Sequence, residues 1–209
     1  VNRISPGDVA LVVGHTADRR GAVAVDGMTE FEWGQEVAHA AARAIMRRGL
    51  VAHTYIKTPR GTYAERLRRV VDEIHKHGAR LVIEIHFNAG PFRGTEVLHW
   101  PASVGGAKLA SALGKNVSDA IGTRLRHGDG ALPQARSWNG GEPAFDANGT
   151  PIPNGAPLYI LAWTRAPSVI LETHFGTSAE DHNLARSRVF QIGEAIAVSV
   201  SEVLGDLNA

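Results

Sequence analysis

Short apolar runs alternate with stretches in which apolar residues recur every three or four positions, and this alternation persists along the 209-residue chain. Val9 to Val13 reads as a buried strand. After a polar, glycine-containing loop from His15 to Met28, a helix is expected from Glu30 to Arg48, stopped by Gly49. Val51 to Ile56 is the next strand, Tyr63 to His77 a helix ended by Gly78, and Leu81 to His86 a strand leading into the turn Asn88-Ala89-Gly90-Pro91. A short strand from Thr95 to Trp100 precedes a helix from Ala107 to Leu125, in which Leu109, Leu113, Val117 and Ile121 fall four apart on one face. Gly128 to Pro157 is rich in Gly, Pro, Asn and Asp and is expected to form a long functional loop. Leu158 to Ala162 and Ser168 to Thr173 read as strands, and Val189, Ile192, Ile196, Val200 and Val203 form the apolar stripe of a C-terminal helix. The pattern predicts an α/β protein, a single domain over residues 1–209. Its core is an open, mostly parallel twisted sheet of about six strands with helices on both faces.

Three apolar runs stop at a metal-capable or acidic residue: Leu11-Val12-Val13-Gly14-His15, Leu81-Val82-Ile83-Glu84-Ile85-His86 and Val169-Ile170-Leu171-Glu172. In open α/β sheets, ligands and catalytic groups gather outside the carboxyl ends of the strands, so these distant residues can converge. A further carboxylate comes from Thr29-Glu30-Phe31-Glu32, which has the form of a capping box. Glu32 is then occupied at the helix start, whereas Glu30 is free to face His15 and His86. Two neutral imidazoles and one carboxylate make a three-ligand zinc site, leaving the fourth position for water as hydrolytic zinc requires. Glu172 is the candidate base.

Structural readings stand beside each of these. A histidine closing a strand is more often a hydrogen-bonded residue than a ligand, and a glutamate at a helix start often answers the helix dipole. His39, His75 and His77 fall in helices among charges, while His53, His99, His127 and His182 have no partner at a recognisable ligand spacing. Glu84 and His174 are each two residues from a candidate, His86 and Glu172, and either is a supporting partner or a replacement ligand.

Composition narrows the chemistry. With no cysteine, disulfides and thiolate metal sites are excluded, so a metal must be held by histidine and carboxylate. A net charge of +1 with scattered basic residues argues against nucleic acid as a partner. No apolar stretch reaches the roughly 20 residues that span a bilayer, and Val1-Asn2-Arg3-Ile4-Ser5-Pro6 does not read as a secretory signal.

Four short motifs, in order, resemble the zinc-dependent N-acetylmuramoyl-L-alanine amidases of the Amidase_3 type, which include bacterial autolysins and phage endolysins. They are Val13-Gly14-His15; Glu30 ahead of a helix ending at Gly49; Ile85-His86-Phe87-Asn88-Ala89 with the following Gly94-Thr95-Glu96-Val97; and Pro167-Ser168-Val169-Ile170-Leu171-Glu172-Thr173-His174-Phe175. The resemblance covers nearly the whole chain. It implies one Zn2+ with a bound water, held by His15, Glu30 and His86, with Glu172 as the catalytic glutamate. The implied substrate is peptidoglycan, cut between N-acetylmuramic acid and L-alanine. It further implies either a phage endolysin, cytoplasmic until released to the cell wall, or a mature secreted or periplasmic catalytic domain. The chain departs from the pattern at Thr16-Ala17-Asp18-Arg19, where the family has more glycine, at Glu84 in place of serine, and at His174 in place of glycine. The helix before the second histidine offers Arg66 or Arg69 only at a shifted spacing, so neither takes a role from the family. Trp138 and Trp163 are candidate sugar or peptide anchors. Two other functions remain open. One is a zinc carboxypeptidase-like peptidase, which would need a positive clamp such as Arg165; the other is a non-catalytic wall-binding module.

Overall fold

A computed structural model describes residues 7–133 and 158–208. Its elements are β1 (Val9–Val13), α1 (Glu30–Arg47), β2 (Ala52–Tyr55), α2 (Tyr63–His77), β3 (Leu81–Asn88) and β4 (Glu96–His99). These are followed by α3 (Val104–Ile121), β5 (Ala131–Pro133), α4 (Tyr159–Trp163), β6 (Ser168–Phe175), α5 (Ala179–Arg186) and α6 (Val189–Asn208). The six strands form one sheet in the order β2-β1-β3-β6-β4-β5, with β4 antiparallel to β6 and every other neighbouring pair parallel.

Helices cover both faces, which is why β1 and β3 are apolar almost throughout. Val9, Leu11, Val13, Leu81, Ile83, Ile85 and Phe87 pack into one core with α1, α3 and α6, while Ala10, Val12, Val82 and Ile170 pack into a second with α2 and α4. By strict alternation Glu84 and His86 share the face of Val82, and Glu172 that of Ile170. Among the described residues, no helix is long and apolar enough to cross a membrane.

Pairing between β3 and β6 is not uniform. His86 lies opposite Glu172 but Asn88 lies opposite Phe175, so β6 carries one extra residue across this interval. Such a bulge breaks the two-residue period. Thr173 and His174 consequently both turn toward α1: Trp33 Nε1 donates to Thr173 Oγ1 at 2.9 Å, and the Trp33 and His174 rings meet edge to face at 4.8 Å.

Two expectations fail. Leu158 to Ala162 is not a strand; Tyr159–Trp163 is a short helix. A five-residue apolar run fits either state, and the helix buries Ile160 and Leu161 while setting the Tyr159 ring against Trp163, four residues on, at 4.1 Å between centroids. The sixth strand is instead β5, formed by the start of the segment expected to be loop and bonded to the sheet edge through Val97 and Leu98. The rest of that segment, with Trp138 and Phe145, lies outside the described residues.

Candidate metal centre and catalytic glutamate

His15 follows β1 immediately after Gly14 and adopts a left-handed backbone, φ 56°, which is uncommon for a residue with a side chain. Gly14 makes room for the site: a Cβ there would lie 2.6 Å from His86 Cε1 and 2.7 Å from His86 Nε2. Gly21, at φ +79°, has a similar part, since its Cβ would meet Glu30 Oε2 and His15 Cδ2 at 2.5 Å. Glu30 opens α1. The capping box forms as expected, with Thr29 Oγ1 accepting from the Glu32 amide and Glu32 Oε2 accepting from the Thr29 amide at 2.9 Å. Capping is thus done by Thr29 and Glu32, and Glu30 turns inward.

The three distant residues meet. Glu30 Oε2 lies 3.0 Å from His15 Nε2, and Glu30 Oε1 lies 3.1 Å from His86 Nδ1. One donor atom from each residue falls within 4.8 Å of the others, and the imidazole rings stand at 74° with centroids 5.0 Å apart. The Ala22 amide also donates to Glu30 Oε2 at 2.7 Å, fixing the carboxylate from the loop side. His15 is about a third exposed and gives the cluster its opening to solvent; Glu30 is nearly buried.

The surroundings favour positive charge here. Burial opposes ionisation of Glu30, but hydrogen bonds from His15 and His86 outweigh it and hold its pKa at about 2. Burial likewise opposes charge on His86, yet contacts with Glu30 and Glu84 push its pKa up to about 10. A buried imidazole can reach that value only among carboxylates, and the same surroundings stabilise a divalent cation. By residue type and convergence, the donor set fits a zinc ion with a further position open to water.

Glu172 sits on the neighbouring strand, opposite His86 on one side and Glu96 on the other. Its Oε2 is buried with no hydrogen-bond partner. Burial raises its pKa to about 8; His86 opposes the rise, while Glu30, Glu96 and Glu84 add to it. A carboxyl group raised in this way takes and releases a proton readily near neutral pH.

The two candidates for a supporting role separate. His174 does not approach the cluster; its Nε2 lies 3.0 Å from His182 Nδ1, and both rings are fully buried beside Trp33 and Phe87. Burial, followed by the neighbouring His182, holds its pKa down to about 3. Glu84 does approach, with Oε1 3.7 Å from His86 Nε2, and is paired with Lys57, both side chains being 2% exposed. Burial would raise the Glu84 pKa, but the charge on Lys57 and the contact with His86 hold it well below the carboxylate range.

Sequence reasoning passed over Lys57, and it gave Arg66 no role. Arg66 makes two hydrogen bonds to the Asp18 carboxylate, at 3.1 and 3.0 Å, and one to Thr16 Oγ1, which ties α2 to the loop after His15. His15, Thr16, Arg19, Lys57, Tyr63 and Arg66 line a cavity of about 170 Å³ adjoining the cluster. Trp163 packs against Tyr159, and the Arg68 guanidinium lies 4.8 Å from its ring.

A mostly parallel sheet with a two-histidine, one-carboxylate cluster beyond its strand ends, and a glutamate of raised pKa beside it, defines the class: a hydrolase with a metal-capable centre. The chain belongs to the Amidase_3 family, N-acetylmuramoyl-L-alanine amidase, whose profile matches residues 9–202, and it is a hydrolase of peptidoglycan amide bonds. Solved structures share the fold. The catalytic domain of an endolysin targeting Clostridia difficile is 21% identical, with 93% of this chain and 96% of that one covered and a TM-score of 0.74. An N-acetylmuramoyl-L-alanine amidase of Nostoc punctiforme is 21% identical over 94% of this chain and 96% of that one, with a TM-score of 0.71. One from Mycobacterium smegmatis is 18% identical over 98% of this chain and 100% of that one, with a TM-score of 0.68. No curated protein matches the chain at a significant level.

Proposed function

We propose that the protein cuts the amide bond between N-acetylmuramic acid and L-alanine, using one zinc ion held by His15 Nε2, Glu30 and His86 Nδ1, with Glu172 as the acid–base residue. The observation that carries this reading is the convergence of the three donors within 4.8 Å, with Glu172 on the strand position opposite His86. When bound, zinc supplies a Lewis acid for the carbonyl and lowers the pKa of its water toward neutrality. Glu172 accepts a proton from the attacking water, and its otherwise unpartnered Oε2 is the atom suited to hold it. The hydroxyl joins the carbonyl carbon, the C–N bond breaks, and Glu172 returns the proton to the departing nitrogen of L-alanine. The muramic acid side keeps the new carboxylate. Burial serves this exchange by holding the Glu172 pKa near the working pH, where one group can act as base and then acid.

The carboxypeptidase reading loses its clamp. Arg165 lines a separate depression with Trp100, Ser103 and Pro167, which includes none of the three donors. Digestion of purified peptidoglycan tests the assignment. The expected products are a new amine on L-alanine and intact glycan strands, with activity abolished by chelation and restored by zinc. Glu172→Gln should retain one zinc per chain and lose about 10²- to 10⁴-fold in turnover. Release of a terminal amino acid, or unchanged activity in Glu172→Gln, would refute it.

A further inference from the structure

Lys57 and Glu84 form an ion pair with both side chains 2% exposed, which is a costly arrangement to place in a core. Lys57 follows β2 by two residues, and β1 separates β2 from β3. The lysine therefore reaches across β1 to Glu84. Glu84 Oε1, the oxygen that contacts Lys57, also faces His86 Nε2 at 3.7 Å. His86 thus lies between two carboxylates, with Nδ1 toward Glu30 and Nε2 toward Glu84. His15 differs, presenting Nε2 to Glu30.

We propose that the Lys57–Glu84 pair is a positioning device for His86, holding its ring proton on Nε2 so that the Nδ1 lone pair is directed at the metal. The inference rests on the reading of His86 as a zinc ligand. A neutral imidazole has one N–H, and an ionised carboxylate can only accept, so Glu84 selects the tautomer protonated at Nε2. At 3.7 Å this contact is longer than a hydrogen bond, so Glu84 acts on the Nε2–H of His86 through its charge. Lys57 has a distinct task. Its ammonium pairs with Glu84 Oε1 where both side chains are buried, supplying the counter-charge for that carboxylate and fixing it against His86. Neither residue touches the substrate in this scheme; both act through His86.

Zinc affinity of the full chain tests the proposal, measured by competition with a chromogenic chelator for wild type, Glu84→Gln, Lys57→Met and the double variant Lys57→Met/Glu84→Leu. Each variant is expected to bind zinc about 10- to 100-fold more weakly. The double variant keeps the role separate from fold stability. Replacing a buried pair by apolar residues is neutral or stabilising, so its zinc-free melting temperature should equal or exceed that of wild type while its zinc affinity stays low. Long-range ¹H–¹⁵N spectra of the zinc-loaded wild type should show His86 protonated at Nε2. Wild-type zinc affinity in the double variant, or a His86 proton on Nδ1, would overturn the positioning role and leave the proposed function intact. Failure of the wild type to bind zinc would remove both.

Discussion

Two pairs of histidines, one built on His86 of β3 and the other on His174 of β6, are treated by the protein in opposite ways. His15 and His86 meet among carboxylates at the mouth of the sheet, where His86 is pushed up to about 10. His174 and His182 meet among Trp33 and Phe87, where His174 is held down to about 3. Both His86 and His174 are largely removed from water, so burial alone does not decide the outcome. The neighbours do. Glu30 and Glu84 beside His86 repay the cost of a buried charge, whereas Asp181 and Asp26 act on His174 too weakly to offset burial, and a second imidazole adds repulsion. A cation belongs in the first environment and is excluded from the second.

Substitutions that convert one environment toward the other test this contrast. The largest effect is expected from His15→Ala or Glu30→Ala, which should bring hydrolysis of purified peptidoglycan to background. His182→Asn should leave measurable turnover, since its contacts are with His174, Asp26, Trp33 and Phe87 and with none of His15, Glu30 and His86. Loss of comparable size in both would remove the distinction.

Acid stability probes the apolar pair. Folded His174 stays neutral down to about pH 3, whereas the unfolded chain takes up that proton near pH 6.5. Between these values the unfolded state binds more protons, so stability increases with pH and is lost as pH falls from 6.5 toward 3. By pH 5 the loss from this residue amounts to about 2 kcal/mol, or roughly 4–8 °C in melting temperature. His174→Asn should flatten the decline over that range; an equally steep decline in the variant would show that another group is responsible.

Smaller effects are expected from two glycines in the loop between β1 and α1. Gly21 and Gly27 both have positive φ, +79° and +90°, so alanine strains the backbone at either site by about 1 kcal/mol. Only at Gly21 would the new Cβ strike Glu30 and His15, while at Gly27 nothing lies within 4 Å. Gly21→Ala should therefore weaken zinc binding by about tenfold or more and Gly27→Ala should not, a difference readable by chelator competition. Equal zinc affinity in the two variants would show that the close approach at Gly21 is immaterial.

The candidate metal cluster was legible because each of its residues depends on local signals. His15 and His86 end apolar runs, and the Thr29/Glu32 box leaves Glu30 unoccupied. Helix α2 was legible to both ends, with Gly78 in the left-handed conformation that terminates it. Helix α3 stops earlier than its apolar spacing suggests, because Gly122 takes the same conformation at φ 74°. What could not be read locally depends on pairing between strands. His174 was grouped with Glu172 by a two-residue period that the β6 bulge breaks, and the bulge exists only against β3. Lys57 gave no signal because its partner Glu84 lies across an intervening strand.

The most direct test of the central claim is the zinc content of the purified wild type, His86→Ala and His174→Asn after dialysis against metal-free buffer. One zinc per chain is predicted for wild type and His174→Asn, and none for His86→Ala. Retention of zinc by His86→Ala, or its loss from His174→Asn, would contradict the assignment of the metal to the carboxylate-lined pair.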